Sequence, residues 1–165
     1  MQLQLIAVST VKMNKKAVLI GLKHTRMDNV DDVKGKILRM KKFLMDLRGF
    51  SENNITLLIE DGEEDETQPT HYNIRMETFH LVDLAKPGDV LFIHLIAHGC
   101  SDGYITTSDK VPIPDCHFKG LLRNVRKGCA LTIVSDCLIQ HQNDGVFRES
   151  FRKMTHGDTL KKLCV

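Results

Sequence analysis

The sequence predicts an α/β fold with a mostly parallel sheet, because short apolar runs and amphipathic stretches alternate along the chain. The apolar runs are rich in β-branched residues and end at turn-forming residues, as buried parallel strands do. The stretches between them repeat apolar residues at helical spacing. A chain of 165 residues is long enough to bury one core. We therefore expect one domain in which helices cover a parallel sheet.

The first half of the chain contains two predicted strands with a helix between them. The run AVLIG at 17–21 predicts a buried strand that ends at its glycine, and residues 55–59 predict the second strand. Acidic and Asn residues at 28–32 suit a helix start, and Gly49 suits the position after its end. The apolar residues at helical spacing in this predicted helix are Val33, Ile37, Met40, Leu44 and Leu47.

The second half begins with a predicted helix that Thr70 can cap and that ends before the Pro-Gly pair at 87–88. Residues 90–96 form the clearest predicted strand, and residues 130–134 form the last one. Between them we expect a loop or hairpin at 101–114 and a helix near 117–125. The apolar contacts of the first of these helices are assigned to Ile74, Phe79, Leu81, Val82 and Leu84.

Composition limits the classes of function. A net charge of +2, no Trp and no basic run interleaved with aromatic residues argue against nucleic-acid binding. No apolar stretch reaches the roughly 20 residues that a membrane span needs, so we expect no membrane contact. The five cysteines are an odd number without CxxC spacing. They indicate reduced thiols in the cytoplasm and no metal site.

Two predicted strands end at residues that can carry chemistry. His98 and Gly99 follow the strand at 90–96, and Asp136 and Cys137 follow the last strand. Loops at the carboxyl ends of parallel strands converge, so an imidazole there can take the proton of a thiol. The backbone N–H of Gly99 and that of the nucleophile could stabilise the resulting oxyanion. Considered singly, each residue more often has a structural role, since a lone His after a strand is commonly structural and a lone Cys is usually a small buried hydrophobic residue.

Several motifs follow one another along the chain in a characteristic order. HLIAHG at 94–99 resembles the segment H-Y-S-G-H-G of type II metacaspases, whose last His is the catalytic base. GCALTIVSDC at 128–137 resembles the stretch that leads into the family's D-S-C-H-S-G-G. The match runs in unbroken order from 15 to 136, and its other parts are KAVLIG at 16–21, GFSENNITLLI at 49–59, TQPT at 67–70, NIR at 73–75 and GDVL at 88–91.

This resemblance implies a caspase-like three-layer α/β/α sandwich and a Cys/His dyad that cuts polypeptides after Arg or Lys. By this resemblance the matched region corresponds to the large-subunit portion of that fold, and we expect the small-subunit portion to be lacking. We therefore interpret residues 1–14 as an extension that need not be ordered, 15–140 as the caspase-like domain and 141–165 as a polar tail of uncertain structure. The sheet would be left with an exposed edge, which invites a partner strand.

The sequence departs from the family at the nucleophile. DCLI at 136–139 stands where the family reads D-S-C-H-S-G-G-L-I. Without a gap, Cys137 matches the family's Ser and Leu138 matches the nucleophile. With a gap, the turn is shortened, and Cys137 is either the nucleophile moved one residue closer to Asp136 or a replaced Ser. Loss of the glycines removes backbone freedom that a sharp turn needs.

The predicted substrate pocket also departs from the family. Ile96 replaces a Ser, Ala97 replaces a Gly, and Lys36 stands where the family has an acid, while Asp136 still matches. A cationic substrate side chain would meet a like charge at Lys36.

Three functional readings follow. The chain is a degenerate metacaspase with weak or no activity, an active endopeptidase that uses Cys137 and His98, or a non-catalytic partner of another metacaspase chain. A fragment without a settled fold is the remaining alternative. No cofactor is required, and calcium is implied by the resemblance only, with the acidic run at 60–66 as its conceivable host. We interpret His94 as a hydrogen-bonded core or strand-edge histidine, and the Cys116–His117 pair as lacking metal-ligand spacing.

Overall fold

A seven-stranded sheet organises the computed structural model of the protein, which describes residues 13–23, 30–60, 68–100, 104–140 and 147–155. Along the chain the elements are β1 (Lys15–Gly21), α1 (Val30–Arg48), β2 (Ile55–Ile59), α2 (His71–Asp83), β3 (Val90–Cys100), β4 (Tyr104–Thr106), β5 (Pro112–Pro114), α3 (Asp115–Asn124), β6 (Ala130–Gln140) and β7 (Phe147–Thr155).

Four parallel strands form the centre of this sheet, in the order β2-β1-β3-β6. The pairing confirms the predicted α/β class with a mostly parallel sheet. The predicted hairpin is also present: β4 and β5 pair antiparallel with each other, and β4 joins β3 where Gly99 lies opposite Ile105.

Strand β7 lies in the stretch that we interpreted as a polar tail of uncertain structure. It pairs antiparallel with β6 from Thr132 opposite Thr155 to Gln140 opposite Phe147. Among the described strands, the free edge on this side of the sheet therefore belongs to β7 and not to β6. Residues 1–12, 141–146 and 156–165 lie outside the described residues.

Helices cover both faces of the sheet, as a three-layer sandwich requires. Successive residues of β1 alternate between two hydrophobic clusters, since a strand points neighbouring side chains to opposite faces. Ala17 and Leu19 pack in one cluster with α1, whereas Val18 and Ile20 pack in the other. The helical members of the second cluster come from α2 and α3 and include Ile74, Leu81, Val82, Phe118 and Leu121.

Two of the predicted apolar contacts, those of Phe79 and Leu84, are wrong, and one apolar residue at helical spacing in α1 is exposed. Leu47 of α1 is 71% exposed, while Leu44 is buried, because at 3.6 residues per turn Leu47 lies about 60° around the helix from Leu44. Phe79 is 53% exposed because it lies outside the buried stripe of α2, and Leu84 is 59% exposed beyond the last turn.

Three local features determine where two helices begin or end and how closely α1 packs on β1. The Thr70 hydroxyl accepts a hydrogen bond from the Asn73 backbone N–H at 3.1 Å, as predicted for a cap. Gly49 follows α1 with a φ of 67°, the left-handed conformation that glycine adopts readily. A Cβ on Gly21 would lie 2.9 Å from Val33 Cγ1, so this glycine allows α1 to approach β1 closely.

Candidate functional site

The strands that carry the predicted dyad are longer than the sequence suggests. We expected β3 to end at 97–99 and β6 to end at 135–137, but β3 continues to Cys100 and β6 to Gln140. The two strands stay in unbroken parallel register over this length. The local sequence permits this continuation, because Leu138 and Ile139 follow Cys137 where a turn would need glycine or another turn-forming residue.

The backbone register places the predicted catalytic residues one position apart. Ala97 lies opposite Cys137, and His98 lies opposite Leu138. The side chains of His98 and Cys137 are outside the described residues, so their pairing as a dyad stays a prediction.

Gly99, the predicted oxyanion-hole residue, lies within the sheet. Its backbone is opposite Ile105 of β4 on one side and Ile139 of β6 on the other. In such a position the backbone N–H and C=O point along the sheet toward the neighbouring strands. The predicted role of Gly99 is not tested by this arrangement.

The three predicted pocket residues line one cavity of about 430 Å³ on the α1 face of the sheet. Lys36 comes from α1, Ile96 from β3 and Asp136 from β6, and Ile96 and Asp136 lie opposite each other in the register. Their role in substrate binding stays a prediction. The remaining lining residues are Arg39, Met40, Phe43 and His94.

His94 and Arg39 are the polar pocket residues that sequence reasoning missed. His94 was interpreted as a hydrogen-bonded core residue, yet its Nδ1 atom is buried and has no hydrogen-bond partner among the described residues. The two-residue repeat of a strand and the three-to-four-residue repeat of a helix could have identified both residues. His94 is two residues before Ile96 on a strand, and Arg39 is three residues after Lys36 on a helix, so each shares a face with a predicted pocket residue.

The electrostatics of His94 follow from its burial. Only 4% of its surface is exposed. Burial lowers the pKa of His94 to about 4, and the nearby Asp136 carboxylate opposes this by favouring the protonated ring. The imidazole is therefore neutral near pH 7. Among the lining residues that the structure describes, the charged groups are two cations, Lys36 and Arg39, and one carboxylate, Asp136.

A second cavity, of about 550 Å³, lies between α2 and α3 and includes Cys116 and His117. His117 Nε2 is 3.0 Å from the Thr78 hydroxyl oxygen. Burial, reinforced by the positive charge of Arg75 and by His71, lowers the pKa of His117. The Cys116 side chain is exposed. This cavity lies on the face of the sheet opposite the α1 cavity.

Neither a metal centre nor a membrane-spanning helix is found in the described part of the chain. Three or more His, Cys, Asp or Glu side chains do not come together there in a way that could hold a metal ion. Most of the acidic run proposed for calcium lies outside the described residues. Its first member, Glu60, accepts a hydrogen bond from the Lys23 backbone N–H at 2.9 Å. None of the described helices is long and apolar enough to cross a membrane.

Comparisons with known proteins agree on one family. The model described as "Metacaspase, peptidase C14 domain" matches residues 15–142. Metacaspase-7 of Arabidopsis thaliana is 41% identical, over 90% of this chain and 40% of that relative. Metacaspase-4 of the same plant is 41% identical, over 75% of this chain and 33% of the relative. Metacaspase-6, also of Arabidopsis thaliana, is 36% identical, over 89% of this chain and 45% of the relative. The chain thus spans less than half the length of these relatives.

Proposed function

The chain belongs to the metacaspase family of caspase-like cysteine peptidases, and from that premise we propose that it is a degenerate member with weak or no proteolytic activity. In an active enzyme of this family, a thiol and an imidazole at neighbouring strand ends would cut a polypeptide after Arg or Lys. The turn at the nucleophile and the substrate pocket are altered in this chain, whereas the His-Gly pair at 98–99 is kept.

The observation that carries the proposal is the uninterrupted course of β6 through Cys137 to Gln140. A nucleophile is presented to substrate by a turn at a strand end, where the backbone leaves the sheet. Cys137 instead lies three residues inside a regular strand and one register position from His98. A one-residue offset exchanges the two faces of a pleated strand, and a displacement near 1 Å can already cost about a hundredfold in rate.

The backbone around Gly99 supports the same proposal. An oxyanion hole needs N–H groups that point out of the sheet toward the reacting oxygen. Gly99 has paired strands on both sides, so its backbone polar groups are directed into the ladder. For the Gly99 N–H to stabilise an oxyanion, β3 would have to separate from β4 or β6 at this position.

The charge of the cavity supports it as well. A substrate Arg or Lys side chain would enter beside Lys36 and Arg39, with Asp136 as the one carboxylate among the lining residues described. Like charges in a partly desolvated site oppose binding. Cleavage after Arg or Lys is therefore disfavoured in binding as well as in chemistry.

A turnover assay tests the proposal. The purified chain is incubated with fluorogenic peptides that present Arg or Lys before the reporter group, with and without calcium. We expect release no faster than from the variants His98→Ala and Cys137→Ala. Cys116→Ala is the matched control, because it removes an exposed thiol that is not part of the predicted dyad. Robust turnover that is lost in the first two variants and kept in the control would instead establish an active Cys137/His98 dyad.

A second candidate is a non-catalytic partner of a full-length metacaspase. A largely apolar cavity of about 510 Å³ adjoins the first on the same face, and Met40 and Phe43 line both cavities. Burial of the apolar side chains that line this cavity would contribute favourably to the binding of a partner. Mixing the chain with a full-length relative should give a complex in size-exclusion chromatography, and Phe43→Glu should abolish it. Separate elution at micromolar concentrations would reject this candidate.

A further inference from the structure

A groove runs between α2 and α3, on the face of the sheet opposite the α1 cavity. It is the cavity of about 550 Å³ described above. The lining residues of each helix follow one another at steps of 1, 3, 1 and 3, from His71 to Phe79 in α2 and from Cys116 to Asn124 in α3. Residues at these steps share one face of a helix. The two helices therefore form the walls of the groove, which follows them for about 12 Å at 1.5 Å per residue.

Large apolar side chains line this groove and remain partly uncovered. Tyr72 is 68% exposed and Phe79 is 53% exposed. Met76 lies between them on the same face of α2, and the buried Leu121 lines the groove from α3. Gly120 leaves space beside these side chains, because a Cβ there would have no described atom within 4 Å. Covering this surface with apolar side chains of a partner would be favourable.

The charge of the groove is carried by Arg75. It is the one permanently charged residue among the described lining residues, which include no carboxylate. Its guanidinium lies 3.5 Å from Nε2 of His71, and no carboxylate of the described residues pairs with it. The positive charge also acts across the groove, since it adds to burial in lowering the pKa of His117 on α3. A cation without a counter-charge beside apolar surface favours an acidic partner.

We propose that this groove is a docking site for an amphipathic helix of a partner protein. The apolar face of that helix covers Tyr72 and Phe79, and an Asp or Glu beside this face pairs with Arg75. Both walls are helices whose backbone groups are bonded internally, so they offer no strand edge to an extended peptide. A helix satisfies its own backbone and can pack its ridge of side chains between two others. The inference goes beyond the proposed function, because it concerns another surface and no catalytic group.

A second copy of this chain fits the groove poorly. If two copies met through the same groove, Arg75 would face its own copy, with no lining carboxylate among the described residues to neutralise either charge. The exposed apolar residues of α1, such as Leu47, lie on a helix with six basic and three acidic residues. That helix would meet Arg75 with a like charge, so charge complementarity favours an acidic helix from another protein.

Binding of a synthetic helix to the full chain tests the docking site. The probe is a dye-labelled peptide of about 18 residues, because shorter helices are marginal in water. It consists of Ala and Gln, with Leu at every third or fourth residue along one face and one Glu beside that stripe. A second peptide has Lys in place of the Glu. In fluorescence anisotropy at pH 7, we expect the Glu peptide to bind about fivefold more tightly than the Lys peptide.

Two variants separate the contributions of charge and shape. Arg75→Gln should bring the two peptides to the same affinity. Gly120→Leu should weaken both peptides about tenfold, because the new side chain would fill the groove. It should leave α3 folded, since Leu has a higher helix propensity than Gly. A saturating concentration of the Glu peptide should also slow the alkylation of Cys116, measured by mass spectrometry, because this exposed thiol lines the groove.

Arg123→Gln and Gly35→Leu are the matched controls. The first makes the same charge change at an exposed residue of α3 outside the groove, and the second makes the same insertion on α1. Both should leave the two affinities unchanged. The docking site is refuted if neither peptide binds, if the Lys peptide binds as tightly as the Glu peptide, if a control acts as its groove variant does, or if Cys116 reacts equally fast with the peptide bound. Self-association of the chain in sedimentation velocity that Gly120→Leu abolishes would assign the groove to a second copy and overturn the proposal.

Discussion

Lowering the pH should destabilise this protein through His94. Its ring lies on β3, 96% buried, and faces Asp136 on β6 and Lys36 and Arg39 on α1. Burial holds its pKa at about 4, and Asp136 only partly offsets this effect. In the unfolded chain the same histidine has its ordinary pKa of about 6.5. The folded state therefore resists a proton that the unfolded state accepts.

The sign and size of the effect follow from this difference in pKa. Between pH 6.5 and 4 the unfolded chain binds more protons at His94 than the folded chain does, so the free energy of unfolding falls as the pH falls. The loss reaches about 2 kcal/mol at pH 5 and about 3 kcal/mol at pH 4, at 1.36 kcal/mol per pKa unit. Above about pH 7 both states carry a neutral ring, and the contribution disappears.

Urea unfolding followed by circular dichroism, at intervals between pH 8 and 4, measures this dependence. His94→Phe keeps a planar ring and removes the titration. The wild type should therefore lose about 2 kcal/mol more than this variant between pH 8 and 5. The difference between the two curves is needed because His117, whose pKa is also lowered, acts in the same range. His80→Phe, at an exposed position of α2, controls for the loss of any histidine.

Parallel curves for the wild type and His94→Phe between pH 8 and 5 would refute this reasoning. They would mean that the folded protein protonates this ring at the same pH as the unfolded chain does, so that burial does not lower its pKa. A curve in which the wild type gains stability toward pH 5 would contradict the sign itself.

Three further predictions concern local features, and urea unfolding tests the first two. Asp89→Asn should lower the free energy of unfolding by about 1–3 kcal/mol. The buried carboxylate accepts backbone N–H groups through both oxygens, whereas an amide has one oxygen to accept them. Gly21→Ala should lower the free energy of unfolding by about 1–3 kcal/mol, since its Cβ would lie 2.9 and 3.0 Å from carbons of α1. Gly35→Ala, within that helix, should instead raise the free energy of unfolding by about 1 kcal/mol, because its Cβ would have no contact under 3.4 Å. With a thiol reagent under native conditions, Cys116 should react at once and Cys129 only on unfolding, because the first is exposed and the second is buried; equal rates would contradict the burial of Cys129.

Much of the secondary structure was predictable because it depends on interactions between residues that are close in sequence. The β-branched run of β1 and the capping hydroxyl of Thr70 influence only the few residues next to them in sequence. The structure confirms both the strand and the cap. The helical spacing of Val33, Ile37 and Leu44 likewise identified the buried face of α1. Leu47 is exposed because an apolar residue beside the buried stripe of a helix need not belong to that stripe. The position of the sheet decides which of these residues are buried.

The ends of strands were harder to predict, because a strand continues for as long as a neighbour pairs with it. Nothing local to Cys137 says that β3 extends beside it to Cys100, or that β7 pairs along its other side. These pairings join residues far apart in the chain, so their energy appears only when the sheet is assembled. The turn that would present a nucleophile is replaced by a strand for that reason.

The sequence by itself determined the family, the α/β layers and the three residues, Lys36, Ile96 and Asp136, that meet in one cavity, because motifs and periodicity are properties of the chain. The tertiary structure alone decided that Arg39 and a buried, neutral His94 share that cavity. Burial and net charge depend on which elements pack together, and α1, β3 and β6 meet only in the folded protein. The course of the strands past His98 and Cys137 was decided in the same way, by pairing between distant parts of the chain.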